Sequence, residues 1–264
     1  MMQAVQLFTV VFCWSLLLSG CYSRKEACLD NLATNFDVTA DDACTDVCCT
    51  YPPITIDMTV KAQDSIFSIE DILINKLGQK YRIIDLRCYF SEFSLYQNNG
   101  SKLKSLELIT TTNNTTINND IVLWKWADVS FSPGTYKAFG QFDSLTFFLG
   151  LSSEIKNTTF TSLTSTHPLS ESSKLKGNDG KITDMTIRCI RLINKPDTIN
   201  LTVSLDKTIK IQTKKIVTTT PGSEIKYGFS ADFHALLYHA DLRESIINIE
   251  NNIKSNISAS EFVR

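Results

Sequence analysis

Cysteine and histidine carry most of the chemistry this 264-residue chain could do. Cys28, Cys44, Cys48 and Cys49 crowd into one short stretch, Cys88 and Cys189 stand far apart, and His167, His234 and His239 are the only histidines. A dense cysteine cluster in an exported chain forms disulfides, with a connectivity that spacing leaves open. Zinc is the alternative, since Cys44-x-x-x-Cys48 is near a ligand spacing. However, no second well-spaced pair exists, and adjacent Cys48 and Cys49 suit a tetrahedron poorly. Cys88 and Cys189 each sit in an apolar strand pattern, where a buried thiol and a bridge are both open. Imidazoles suit copper, with the thioether of Met185 as a softer ligand. One arrangement gathers His167, His234, His239 and Met185 around an ion. The other leaves His167 in a polar loop before Pro168 and the remaining two on the surface of a terminal helix. Residues five apart on a helix point about 140° from each other, so His234 and His239 share a metal only if the helix ends between them.

Other chemistries find little support. There is no Gly-x-Ser-x-Gly elbow, phosphate-binding glycine loop or His-Glu-x-x-His signature, so an enzyme is not expected. Asp37, Asp41 and Asp42 invite calcium, but the order of an EF-hand loop and its distal Glu are missing, and solvated turns explain them. Lys and Arg number 26 against 28 Asp and Glu, leaving no basic field for nucleic acid. Trp124 and Trp126 are two apart and face one side of a strand. They read as core, or as an oxidisable or sugar-stacking pair.

Positioning these residues begins with export. An apolar run over 7–18 is too short to span a bilayer and ends in Leu18-Ser19-Gly20-Cys21, which resembles a bacterial lipobox. No Lys or Arg precedes that run. The expectation is a signal peptide over 1–20 and a lipidated Cys21, whose acyl chains anchor the protein to the membrane, on the outer membrane of the cell envelope. Residues 21–53 form a Cys-rich stalk module of Asx turns, leaving through Pro52-Pro53.

From Ile54 the pattern is mainly β. Ile54, Ile56, Met58 and Val60 alternate with polar residues. Ile84, Leu86, Cys88 and Phe90 share one parity and Phe93 and Leu95 the other, which predicts a bulge or break at Ser91-Glu92. Asn98-Asn99-Gly100-Ser101 reads as a hairpin turn into a strand over 103–109, and 110–120 as a loop without core residues. Strands follow over 121–126 and 145–151, the latter apolar on both faces and therefore central. A long polar stretch over 152–181 precedes strands at 182–193, 199–205, 209–211 and 223–229. Asp232 caps a helix through about Ala240, and a second helix runs from about Leu242 to Ile257. The fold class is an antiparallel β-sandwich over 54–264 with a short C-terminal helical segment, preceded by the small Cys-rich module.

The order of segments resembles the copper-binding MbnP-like family of exported bacterial proteins. The residues that carry the likeness run from Tyr81 through Leu95, then Ser132-Pro133-Gly134-Thr135-Tyr136, the strand from Leu145 to Leu151, Thr166-His167-Pro168-Leu169, and Phe229-Ser230-Ala231-Asp232-Phe233. Family members follow the histidine-proline step with a methionine-x-tryptophan-x-tryptophan stretch. Here Ile182-Thr183-Asp184-Met185-Thr186-Ile187-Arg188 stands in that place without tryptophan. The resemblance implies copper as cofactor, with His167 the leading ligand, and a di-haem cytochrome as partner. Copper binding or delivery is thus one functional expectation. A metal-free adhesin or scaffold that binds a protein or glycan is the other.

Overall fold

The computed structural model describes residues 22–44, 48–63, 65–69, 71–206 and 208–257. The expected signal peptide and lipidated Cys21 lie outside them. The strands in chain order are β1 (Glu26–Ala27), β2 (Asp42–Ala43), β3 (Ile54–Ala62), β4 (Ser65–Ile66), β5 (Leu73–Ile74), β6 (Lys80–Gln97), β7 (Lys102–Leu103) and β8 (Leu108–Thr110). They continue as β9 (Thr116–Asn118), β10 (Val122–Lys125), β11 (Ser130–Phe131), β12 (Gly140–Leu149), β13 (Met185–Arg191), β14 (Asp197–Val203), β15 (Ile209–Thr219) and β16 (Ile225–Asp232).

The larger sheet runs β14-β13-β6-β12-β15, with β5, β7 and β10 also on β6. The smaller runs β11-β3-β16, with β4 on β3. Strand alternation explains the sandwich: Ile54, Ile56 and Phe229 of the small sheet and Phe90, Phe147 and Ile187 of the large one bury their apolar faces in a common core. Phe90 sits at its centre, stacked on Phe131 with ring centroids 5.5 Å apart and edge-on to Phe147 and Phe229. Pairing is antiparallel within the large sheet, but β3 and β16 run parallel, a departure from a wholly antiparallel sandwich.

The spine is β6. Its register against β12 shifts between Ser94 and Ser91, with Glu92 at φ 56°, so the predicted bulge is present. Asp120 is buried beside it, with the backbone N–H groups of Phe93, Glu92 and Asp120 itself near enough to favour the charged carboxylate. Burial pushes this carboxyl up to about 6, and the backbone donors oppose the rise. A second bulge breaks the pairing with β13, where Arg188 faces Asp85 and Cys189 faces Ile83. Ile84 is the extra residue, so Tyr81 and Ile83 point inward rather than Ile84.

The turn at 98–101 forms, but the strand expected over 103–109 is cut to Lys102–Leu103 on β6, with Leu108–Thr110 pairing elsewhere; β12 is central between β6 and β15. Trp124 is fully buried and stacked on Phe233 at 5.0 Å, while its indole N–H donates to Asp128 O at 2.8 Å, so this ring is core. The expected loop at 110–120 instead contains β9, which pairs with β8, and Ile109 of that hairpin is buried. The first C-terminal helix shrinks to Ala235–Tyr238, because Asp232 still belongs to β16. The second spans Ile246–Asn256, capped by Ser245. It covers the β14 edge, where Glu250 accepts the Thr202 N–H at 2.6 Å. Among the described residues no helix is long and apolar enough to cross a membrane.

In the Cys-rich module the disulfides are Cys28–Cys49 and Cys44–Cys48. It lies against the sandwich: Lys137 Nζ pairs with Asp30 at 2.5 Å, and the Tyr51 hydroxyl donates to the same carboxylate at 2.8 Å. Gly222 must be glycine here, since an added Cβ would sit 2.9 Å from Ala33 O at a φ of +70°. Cys88 and Cys189 are buried free thiols on neighbouring strands, out of register with each other.

Candidate functional site: an open cleft on the outer face of the large sheet

Behind the large sheet lies a second, smaller apolar cluster, where Tyr89 of β6 meets Ile109, Ile121, Leu151, Ile155, Leu169 and Leu175. Three segments cover it, and between them opens a cleft of about 1330 Å³ lined by residues of 151–182 and 204–208. Their positions follow from a few polar groups.

Asp184 is fully buried just before β13. Its two carboxylate oxygens accept the N–H groups of Leu151 at 2.8 Å and Leu205 at 2.6 Å, and Lys156 Nζ pairs with it at 2.5 Å. The same ammonium donates to Leu205 O at 3.2 Å. One carboxylate thus fixes the end of β12, the segment that leaves β14, and the short helix Ser153–Asn157 that carries Lys156. Gly150 makes room for it, because a Cβ there would lie 3.1 Å from the Asp184 oxygen at a φ of +93°.

Tyr89 fixes the facing wall. Its hydroxyl donates to Pro168 O and accepts from Leu175 N–H, both at 3.0 Å. Burial pushes this phenol up to about 12, so it remains a donor at any physiological pH. His167 continues the same wall. Nδ1 accepts the Leu169 N–H at 3.1 Å, which leaves the proton on Nε2, and Nε2 donates to Asn119 Oδ1 at 2.9 Å. Burial holds this imidazole below its ordinary range and therefore neutral. Both ring nitrogens are engaged in shaping the loop.

The other candidate ligands lie elsewhere. His234 and His239 flank the helix Ala235–Tyr238 as its N-cap and C-cap. His234 is buried, donates from Nε2 to Ile74 O at 3.0 Å and stacks on Tyr81, whereas His239 is exposed beside Tyr238. Met185 is buried between Cys88 of β6 and Val203 of β14. Among the described residues, one group of three potential ligands has all its ligand atoms within 4.8 Å of one another: Cys44, Cys48 and Cys49, each in a disulfide. The three histidines do not assemble into such a group. Among the described residues both ring nitrogens of His167 and Nε2 of His234 are already hydrogen-bonded within the fold.

No family model matches the chain, and no curated protein matches its sequence. Among solved structures, MbnP from Methylosinus trichosporium is similar. The TM-score is 0.46 and the identity 12%, over 72% of this chain and 78% of that one. The likeness is distant and confined to the fold. No residue's role carries over at that distance.

Sequence reasoning missed Asp184, Tyr89 and Lys156 as site residues. The available signal was a carboxylate directly before an apolar strand, together with a glycine ending the apolar strand at Gly150. An Asp in such a place must find donors, and backbone N–H groups of chain segments leaving the sheet are the nearest ones.

Proposed function

We propose that this protein is a non-catalytic binding module, held in the cell envelope by a lipid on Cys21, whose cleft receives a neutral oligosaccharide. The observation that carries the reading is a cleft built in advance of any ligand. Asp184, Tyr89 and His167 spend their polar groups on the walls, while the lining that faces outward is rich in Ser, Thr and Asn among apolar side chains. Sugars present hydroxyls and C–H faces together, and that mixture matches Ser153, Asn157 and Thr159 beside Phe160 and Leu163. The lysines lining the cleft each have an acidic partner, Lys156 in Asp184, Lys174 in Glu171 and Lys181 in Asp179, so a strongly anionic ligand is not favoured. A partner protein is the other occupant such an open cleft admits.

Calorimetric titration with soluble cell-surface oligosaccharides tests the proposal. Phe160→Ala should weaken binding about tenfold or more, which is about 1.4 kcal/mol, measured at a temperature where both proteins are folded, because the ring also packs against the Tyr89 cluster and its loss lowers the melting temperature. If every oligosaccharide fails to bind, or the Phe160 variant binds as well as wild type, the sugar reading is wrong. The anchor is tested separately: Cys21→Ser should release the protein from the membrane fraction and abolish incorporation of labelled fatty acid.

A further inference from the structure

The Cys-rich module holds two cystines, and their sulfurs lie close together. Cys44, Cys48 and Cys49 have all three Sγ atoms within 4.8 Å of one another, and Cys49 is at the same time bonded to Cys28. The two bonds are unequally protected. Cys44 and Cys48 are both half-buried, whereas the other bond pairs the half-buried Cys49 with Cys28, which is 1% exposed. They also close loops of different size, with sequence separations of 21 and 4.

We propose that this module is a thiol–disulfide exchange site, in which Cys44–Cys48 is the entry bond and Cys49 the relay to Cys28. An exogenous dithiol supplies the electrons. One of its thiolates attacks Cys48 Sγ, the Cys44–Cys48 bond breaks, and Cys44 leaves as a thiolate. The second thiol of the reagent resolves the mixed disulfide, so Cys48 is released and the reagent ends as its own disulfide. Two electrons have then entered the protein. The Cys44 thiolate now attacks Cys49 Sγ, forms Cys44–Cys49 and expels Cys28 as a thiolate, with no further change in electron count. Cys44 is the attacking sulfur because Cys48 is Cys49's chain neighbour. Consecutive Cα atoms are about 3.8 Å apart, below the roughly 4.4–6.8 Å that an unstrained disulfide spans.

The consequence is mechanical. Cys28–Cys49 ties the arm that leads from the anchor to the exit at Tyr51-Pro52, and in the exchanged form that exit is tied instead to Cys44, beyond β2, while Cys28 is set free. The grip between arm and sandwich then follows the thiol–disulfide state of the compartment.

The test uses the full chain, treated with rising dithiothreitol, quenched with iodoacetamide and mapped by mass spectrometry. Cys88 and Cys189 serve as internal controls, since both are fully buried and burial raises their thiols well above the ordinary range. The expected first product carries label on Cys28 and Cys48 and a Cys44–Cys49 bridged peptide. A first product labelled only on Cys44 and Cys48, with Cys28–Cys49 intact until both bonds are lost, overturns the proposal. Cys44→Ala should block early labelling of Cys28, and release of Cys28 in that variant would equally overturn the relay.

Discussion

The two apolar clusters on either side of the large sheet are built by different rules. Between the sheets, side chains of Phe, Ile, Leu and Trp fill the space, and the aromatic contacts around Phe90 and Trp124 need no polar help beyond one indole bond. On the outer face, a handful of apolar residues lies under chain segments that have little regular structure, and single polar groups hold those segments in place. The first region gets its stability from area removed from water, which is non-directional and tolerant of detail. The second gets its shape from directional bonds to a few atoms, and losing one such partner leaves buried groups unmet. A binding cleft belongs on the second kind of surface, because loops fixed at a few points leave space between them.

Breaking the first region should cost the most. Phe90→Ala removes a fully buried ring that touches Phe131, Phe147 and Phe229, and should destabilise the fold by about 3–5 kcal/mol in chemical denaturation. Oligosaccharide affinity of the fraction still folded should be unchanged. Asp184→Ala comes next, at about 3 kcal/mol, because Lys156 loses its partner and two N–H groups lose their acceptor. Its signature differs: amide exchange should speed up first at Leu151 and Leu205. If exchange rose uniformly across both sheets instead, the division into two regions would be wrong.

Much of the first region was legible in the sequence, because the period-two alternation of β3 and the parity change in β6 are direct consequences of burying one face. The bulge at Glu92 announced itself as a change of parity from Phe90 to Phe93. The bulge at Ile84 did not, since an isoleucine at the extra position continues an apolar pattern and hides the slip. The parallel pairing of β3 with β16 joins strands some 170 residues apart, and alternation alone gives no direction. The cleft was largely hidden. Asp184, Lys156 and Leu205 come together from three separate chain segments, and each reads locally as an ordinary polar-loop or strand-end residue. His167 was picked out for metal chemistry by its type, whereas both its ring nitrogens hold loop geometry.

Asp120 lies where the two regions meet, as a buried carboxylate beside the bulge of β6. Its folded value of about 6 lies above the ordinary 3.8, so its contribution to stability is fully present below about 3.8 and is lost as pH rises through 6. A difference of about two units corresponds to roughly 3 kcal/mol before solvent relaxation, and about 2 kcal/mol is a reasonable expectation. Denaturation of wild type and Asp120→Asn across pH 4 to 7 isolates this term. The gap between the two should grow in the variant's favour as pH rises, and a gap independent of pH would show that the carboxyl titrates normally.

Smaller effects separate wall-building from metal-binding most cleanly. Tyr89→Phe deletes one donor and one acceptor while keeping the ring, so about 1–2 kcal/mol should be lost, concentrated in exchange at Leu175. His167 offers the finest discrimination. Burial lowers its proton affinity, so the stability it contributes is present above the unfolded histidine value and is lost as pH falls through the lower folded one. Nitrogen-15 spectra of the imidazole should show the Nε2–H tautomer persisting below the ordinary histidine midpoint. Added copper(II) should broaden the exposed His239 before it touches His167, because a metal reaches His167 only by breaking its bond to Asn119 or to the Leu169 amide. Selective early broadening of His167 would mean that this ring is a ligand after all, and that the wall it supports opens to take the ion.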